Sequence, residues 1–151
     1  MKNYLAIDQG TTSSRSIIFN TKLEKIYDSQ KEYNLSYPDD GWVELNPDDV
    51  LRTVEETLKD VLLKCSDVEA CGLTNQRETT IVWSKVTGEP IYPGIVWQDR
   101  RTNAYCDSLK LKGHEELVRN KTGLVLDPYF SATKIKWILD NVEGARELAE
   151  G

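Results

Sequence analysis

The sequence predicts an α/β fold built on a mixed sheet, and three observations carry that prediction. Apolar alternation marks Tyr4 to Asp8 and recurs in Arg15 to Asn20, a more polar third strand is read over Lys25 to Tyr33, and the short connections predict an antiparallel meander. A capped amphipathic segment, predicted to be helical, begins at Asn46. The short apolar run Val68 to Thr74 follows it, so helix and run form a crossover that brings a parallel strand into the meander.

Composition narrows the class. A chain of 151 residues is long enough to bury a core without disulfides or metal, and 39% hydrophobic with 29% charged residues is the balance of a globular protein. The net charge of -6 and pI near 4.9 argue against a broad nucleic-acid footprint, so any anionic ligand is held by a local site. No apolar run approaches the roughly 20 residues of a membrane span, and the N-terminus lacks the apolar centre of a signal peptide, which makes cytosol the expected compartment. Cys65, Cys71 and Cys106 form no CxxC pair, so buried free thiols are expected rather than disulfides or zinc. His114, in Lys-Gly-His-Glu-Glu, reads as a surface residue at a helix start.

The first strand, Tyr4 to Asp8, carries apolar residues on both sides, and a tight turn over residues 7–15 leads into the second. Gly10 is expected at positive φ, and Thr11, Thr12, Ser13 and Ser14 supply successive amide and hydroxyl donors. Converging amides, a carboxylate such as Asp8 to hold a hydrated Mg²⁺ and a cation such as Arg15 are what phosphoryl transfer requires; an ordinary polar hairpin has the same composition. Residues 36–46 read as a loop, with Trp42 anchoring it. Asn46 caps the helix, Pro47 takes its first position, and Val50, Leu51, Val54, Leu58, Val61 and Leu62 share its apolar face.

Residues 75–80, Asn-Gln-Arg-Glu-Thr-Thr, follow the parallel strand at its carboxyl end, where open α/β sheets hold ligands. Arg77 and Glu78 share a pocket only if that strand ends before them; composition alone favours a solvated ion pair. Ile81 to Trp83 and Ile91 to Trp97 read as a hairpin, with Trp97 in the core and Asp99 capping a following helix. Lys112 to Lys121 reads as a short helix ending at Gly123. Ser131 is expected to cap a last amphipathic helix with Ile135, Ile138, Leu139 and Val142 on one face, ended by Gly144, and residues 145–150 add one more turn. After one parallel strand the sheet has no further strand, a bare edge that invites pairing, and the chain reads as truncated.

Residues 8–15 (Asp-Gln-Gly-Thr-Thr-Ser-Ser-Arg), 75–80, 97–102 (Trp-Gln-Asp-Arg-Arg-Thr) and 127–131 (Asp-Pro-Tyr-Phe-Ser), in this order and spacing, closely resemble the start of the glycerol kinases, within the sugar and polyol kinase family. The resemblance runs nearly end to end and includes Gly41-Trp42-Val43-Glu44, with Leu45 where the family usually carries glutamine. It implies a ribonuclease-H-like, actin-like ATPase fold, of which this chain is part of an N-terminal domain, with two domains closing over a cleft. It implies that Thr11, Thr12 and Ser13 approach the ATP phosphates, that Arg15 helps neutralise them and that Asp8 lies near Mg²⁺. Arg77, Glu78 and Tyr129 match the family's glycerol contacts, and Trp97 matches an apolar wall against the carbon chain. A Glu acceptor, an Arg donor and a phenol satisfy a small polyol while an indole excludes water. The family's catalytic base lies beyond Gly151, and Asp8, Asp99 and Asp127 are not promoted to that role.

The resemblance therefore implies ATP-dependent phosphorylation of glycerol to sn-glycerol 3-phosphate once the C-terminal remainder is supplied. A second reading is a non-enzymatic fragment that pairs its open edge with itself or with a separate C-terminal segment. A nucleotide switch of the actin or chaperone kind shares the first motif only.

Overall fold

The computed structural model describes residues 2–150, and the chain divides into two compact units, Met1–Leu35 with Leu45–Arg77 and Ser36–Glu44 with Glu78–Gly151. In the first unit Asn3–Gln9 (β1), Ser13–Asn20 (β2) and Lys25–Glu32 (β3) form the expected meander, followed by Leu35–Ser36 (β4), Glu44–Leu45 (β5), the helix Pro47–Leu62 (α1) and the strand Val68–Thr74 (β6). The four-stranded sheet has the order β3-β2-β1-β6, with β6 parallel to β1 and the other pairs antiparallel. Register sets Leu5 opposite Ile18 and Asp8 opposite Arg15.

Asn46 accepts a hydrogen bond from the Asp48 amide at 3.0 Å, Pro47 stands at the first turn, and Asp48 and Asp49 complement the helix dipole, as the sequence predicts. The predicted face of α1 is buried in part: Val61 lies in the core with Val54 and Leu58 packed against it, but Leu51 is 59% exposed and Thr53 and Thr57 are buried in addition. The reason lies in β2: Ser14 and Ser16 point at the helix, and their hydroxyls pair with Thr53 at 2.9 Å and Thr57 at 3.0 Å, so hydroxyls rather than leucines fit the contact. Leu5, Ile7, Ile18 and Val61 form the apolar cluster beside these pairs. Strand β6 lies at the sheet edge and is exposed beyond Val68.

The second unit draws on a small sheet, order β4-β5-β7, in which β7 is Gly94–Ile95, and on the helices Asn103–Leu111 (α2), Glu115–Thr122 (α3), Ser131–Asn141 (α4) and Ala145–Glu150 (α5). The predicted hairpin of Ile81 to Trp83 with Ile91 to Trp97 contracts to β7 and two single bridges, Thr80 with Ile95 and Trp83 with Pro90. Pro90 and Pro93 lack the amide hydrogens a longer ladder needs. Helix α3 starts later than expected, after Gly113 at φ 79, and ends as expected at Gly123, with His114 exposed at its start.

Asp99 does not cap a helix: α2 begins at Asn103, and the Asp99 carboxylate is buried in an ion-pair network instead. Nor does Ser131 cap α4; Phe130 holds that position, and Ser131 gives its amide and hydroxyl to Glu78. The buried residues of α4 are Thr133, Lys134 and Ile138; of the predicted face Ile138 is buried and Leu139 and Val142 are half-buried, but Ile135 is 42% exposed. Trp42 anchors its loop as expected, its ring 5.1 Å from that of Trp137. Of the thiols expected to be buried, Cys106 is, Cys65 is half-buried and Cys71 is exposed on the edge strand β6. Among the described residues no helix is long and apolar enough to cross a membrane.

Candidate functional site

The turn between β1 and β2 is held through one backbone carbonyl. The Gly10 oxygen accepts from the Tyr33 hydroxyl, from the Gln9 side-chain amide at 2.8 Å and from that of Gln76 at 3.1 Å. Gln76 also lies 2.9 Å from the Tyr33 oxygen and 3.0 Å from Oε1 of Gln9. Tyr33 is 7% exposed, and burial pushes its phenol above the ordinary value, which keeps its donor hydrogen in place. The Gly10 amide donates to the Ser13 carbonyl at 2.9 Å, and the Tyr33 amide to the Thr12 carbonyl at 3.1 Å.

Gly10 does not adopt the expected positive φ. A Cβ there would lie 3.2 Å from the Ser13 carbonyl, a tight contact that the backbone across the turn would have to relieve, so the close approach favours glycine. Thr12 is exposed at the tip, Thr11 and Ser13 are half-buried, and the Ser13 hydroxyl accepts from Gln30 at 3.0 Å. Arg15 pairs with Asp28 of β3 at 2.6 Å. Lys25, then Arg15, hold the Asp28 carboxyl below the usual carboxylate range.

Asp8 closes the exposed end of β1, and no hydrogen bond or ion pair links its carboxylate to another described residue. No cluster of three metal-ligating side chains occurs among the described residues. A single free carboxylate fits Mg²⁺, which keeps most of its waters and takes few protein ligands; it does not suit a cation that needs a full protein cage.

Strand β6 ends at Thr74, so Arg77 and Glu78 lie in a loop, the condition their joint use required. Arg77, the last residue of the first unit, is exposed. Glu78 opens the second stretch of the other unit with φ 65, a left-handed conformation uncommon for a residue with a side chain. Its Oε2 accepts from the Ser131 amide at 3.0 Å and hydroxyl at 2.8 Å, and its backbone carbonyl accepts from Lys134 Nζ at 3.0 Å. The same ammonium donates to the Tyr129 carbonyl. The Tyr129 ring meets the edge of Trp97 at 5.8 Å between centroids, and its amide donates to Asp127 at 2.8 Å. Three of the residues expected to contact an acceptor, Glu78, Trp97 and Tyr129, therefore stand in one cluster of the second unit.

Behind Trp97 lies a charged network sealed from solvent. Arg101, its side chain 0% exposed, bonds Asp99 at 2.8 Å and Glu44 at 2.7 Å, and its guanidinium carbon sits 3.9 Å from the Trp42 ring and 4.6 Å from that of Trp137. Asp99 also accepts from the Val43 amide at 2.7 Å. These contacts fix the segment that carries Trp97 and occupy Asp99 completely. Asp127 is likewise committed, to Arg100 at 3.0 Å and to the Tyr129 amide.

Sequence reasoning missed Tyr33, Gln76 and Lys134. Tyr33 carried no signal, being a single polar residue at the end of a weakly periodic segment, whereas Gln76 stands inside the singled-out stretch 75–80 and was passed over for its neighbours. Lys134 carried a signal: it stands one turn before Ile138 on the buried side of an amphipathic helix, where a charge needs a partner.

A meander, a helical crossover and a parallel strand in the order β3-β2-β1-β6, with a glycine turn at the carboxyl end of β1, form part of an actin-like ATPase domain, and the structures that share it are sugar kinases. Solved structures agree: the glycerol kinase of Plasmodium falciparum with ADP superposes over 99% of this chain with a TM-score of 0.92 at 27% identity, and a ligand-bound xylulose kinase from Lactobacillus acidophilus shares the fold at 0.87 and 21%. Residues 3–150 match the N-terminal domain of the FGGY family of carbohydrate kinases, and the chain belongs to that family. It is 54% identical over 99% of its length to a glycerol kinase of Roseobacter denitrificans and 55% identical over 97% to one of a Marinomonas species. It spans 31% and 30% of those relatives.

Proposed function

We propose that this chain is the N-terminal part of an ATP-dependent glycerol kinase, which forms sn-glycerol 3-phosphate in the cytosol. The observation that carries the acceptor assignment is the cluster of Glu78, Trp97 and Tyr129. A short polyol needs an acceptor for its hydroxyl hydrogens, a donor for its oxygens and an apolar wall for its carbons, and Glu78, Tyr129 and Trp97 offer these in turn. One oxygen of Glu78 is engaged by Ser131, which leaves the other to receive a substrate hydroxyl. Arg77 supplies a further donor. The similar glycerol kinases favour this acceptor over a five-carbon sugar.

In the same reading the turn around Gly10 binds the phosphates of ATP, with Thr11, Thr12 and Ser13 as donors. Arg15 contributes as a cation already partly neutralised by Asp28. Asp8 orients water on Mg²⁺, which when bound offsets the charge of the transferring phosphoryl group. Asp99 and Asp127 are occupied by Arg101 and Arg100, so the base that takes the hydroxyl proton comes from the rest of the protein.

The test joins this chain to the C-terminal portion of the Roseobacter denitrificans glycerol kinase and follows ADP release. Glycerol is expected to be the preferred acceptor, and Glu78→Gln is expected to raise its KM at least about tenfold while the KM for ATP stays within about twofold, the pattern of one lost acceptor contact. A glycerol KM that Glu78→Gln leaves unchanged refutes the assignment.

A further inference from the structure

We propose that Lys134 is a positioning residue for acceptor recognition, its ammonium tying the backbone of Glu78 to that of Tyr129 so that both side chains face the acceptor at a fixed separation. The inference rests on the proposed acceptor contacts and goes beyond them, since Lys134 itself touches no acceptor. Three observations carry it. Lys134 is fully buried, an uncommon state for a lysine, and its Nζ is spent on two main-chain carbonyls rather than on a carboxylate. Those two carbonyls belong to Glu78 and Tyr129, two of the four residues assigned to the acceptor, 51 positions apart in the chain. One of them, Glu78, is held at φ 65, a conformation a loop keeps only when its surroundings impose it.

The chemistry explains why the residue is a lysine. A charged donor makes hydrogen bonds roughly twice as strong as a neutral one, and the ammonium has hydrogens for both carbonyls. Burial opposes the charge and lowers the ammonium to about 8, against the pull of Glu78, Asp99 and Asp127, the charged groups that face it, and of the neighbouring Cys106. Ser131, one turn earlier on α4, fixes the far end of the Glu78 side chain. A single helix face thus sets both the main chain and the carboxylate of Glu78.

The test uses the same fusion with the Roseobacter denitrificans enzyme. Lys134→Met keeps the stem and removes the donors. It is expected to raise the glycerol KM at least about tenfold and to leave the KM for ATP within about twofold, because only the acceptor side is loosened. In the unsubstituted protein, the glycerol KM is expected to rise as pH passes about 8 while the KM for ATP does not follow it. This second measurement stands if the variant fails to fold. Equal changes in both constants, or a glycerol KM insensitive both to Lys134→Met and to this pH step, overturn the proposal. Glu78→Gln in the same assay separates the two levels: if it moves the glycerol KM and Lys134→Met does not, positioning by Lys134 fails and the acceptor contacts stand. If neither moves it, the acceptor assignment itself fails.

Discussion

Thr57→Val is expected to destabilise the first unit by about 1–2 kcal/mol, although it exchanges a polar buried side chain for an apolar one of the same shape. Thr57 is 0% exposed; its Oγ1 donates to the Val54 carbonyl at 3.0 Å and lies 3.0 Å from Oγ of Ser16, which is also 0% exposed. Since the single Thr57 hydrogen goes to Val54, the Ser16 hydrogen points at Thr57. Valine removes that acceptor and leaves a buried hydroxyl donor without one, a loss of about 1–3 kcal/mol in general. The smaller end applies here because valine fills the same volume and adds no cavity.

The double variant Ser16→Ala with Thr57→Val removes both polar groups together and is expected to regain most of the loss, giving a coupling of about 1 kcal/mol or more. Urea denaturation read by far-ultraviolet circular dichroism measures it, with amide exchange in β1 and β2 as the local check. Tryptophan fluorescence is the wrong probe, because Trp42, Trp83, Trp97 and Trp137 all belong to the second unit. Additive single effects, with coupling below about 0.3 kcal/mol, refute the claim that these hydroxyls form the α1 contact.

Tyr33→Phe removes the phenol that donates to the Gly10 carbonyl and is expected to cost about 1 kcal/mol in urea denaturation. In the fused enzyme it is expected to raise the KM for ATP without moving that for glycerol. Arg101→Lys is expected to lower stability by about 3 kcal/mol in thermal unfolding followed by tryptophan fluorescence. Lysine cannot bond both Asp99 and Glu44 in plane while lying between Trp42 and Trp137. Lys134 titrates near 8 when folded and near 10.5 when unfolded, so between these values the unfolded chain binds more protons and the contribution of Lys134 to stability rises with pH. Below about 8 both states are protonated and that contribution is flat. The raised Cys106 thiol acts in the opposite direction above 9, so the comparison is the denaturant midpoint of the protein against Lys134→Met at pH 8 and 9.

The meander, the crossover and the capped start of α1 were legible because each rests on local rules: alternation, short connections, and Asn-Pro-Asp-Asp chemistry. The errors share one cause. The α1 face was assigned by hydrophobicity, but the partner surface on β2 presents Ser14 and Ser16, and a threonine that meets a serine is as well satisfied in the interior as a leucine that meets an isoleucine. Asp99 and Ser131 both stand where helix caps are common, yet Arg101 and Glu78 claim them, partners that no local pattern names. The acceptor residues were assigned only through the resemblance, since from composition alone Arg77-Glu78 reads as a surface ion pair; Asp8, Thr11 to Ser14 and Arg15 already read as a candidate phosphate cradle, beside an ordinary polar hairpin.

The two candidate loops, each in its own unit, are held by the same kind of contact. In each unit the functional loop is fixed by donors aimed at its backbone carbonyls: Tyr33 and Gln76 at Gly10 in the first unit, Lys134 at Glu78 and Tyr129 in the second. The Glu78 carboxylate is held as well, by the amide and hydroxyl of Ser131. Tyr33 and Gln76 are remote in sequence from Gly10, as is Lys134 from Glu78, whereas Lys134 stands only five residues from Tyr129. A search for site-supporting residues in such folds therefore begins with buried donors on neighbouring elements whose partner is a main-chain oxygen, and Lys134 is the residue such a search finds in the second unit.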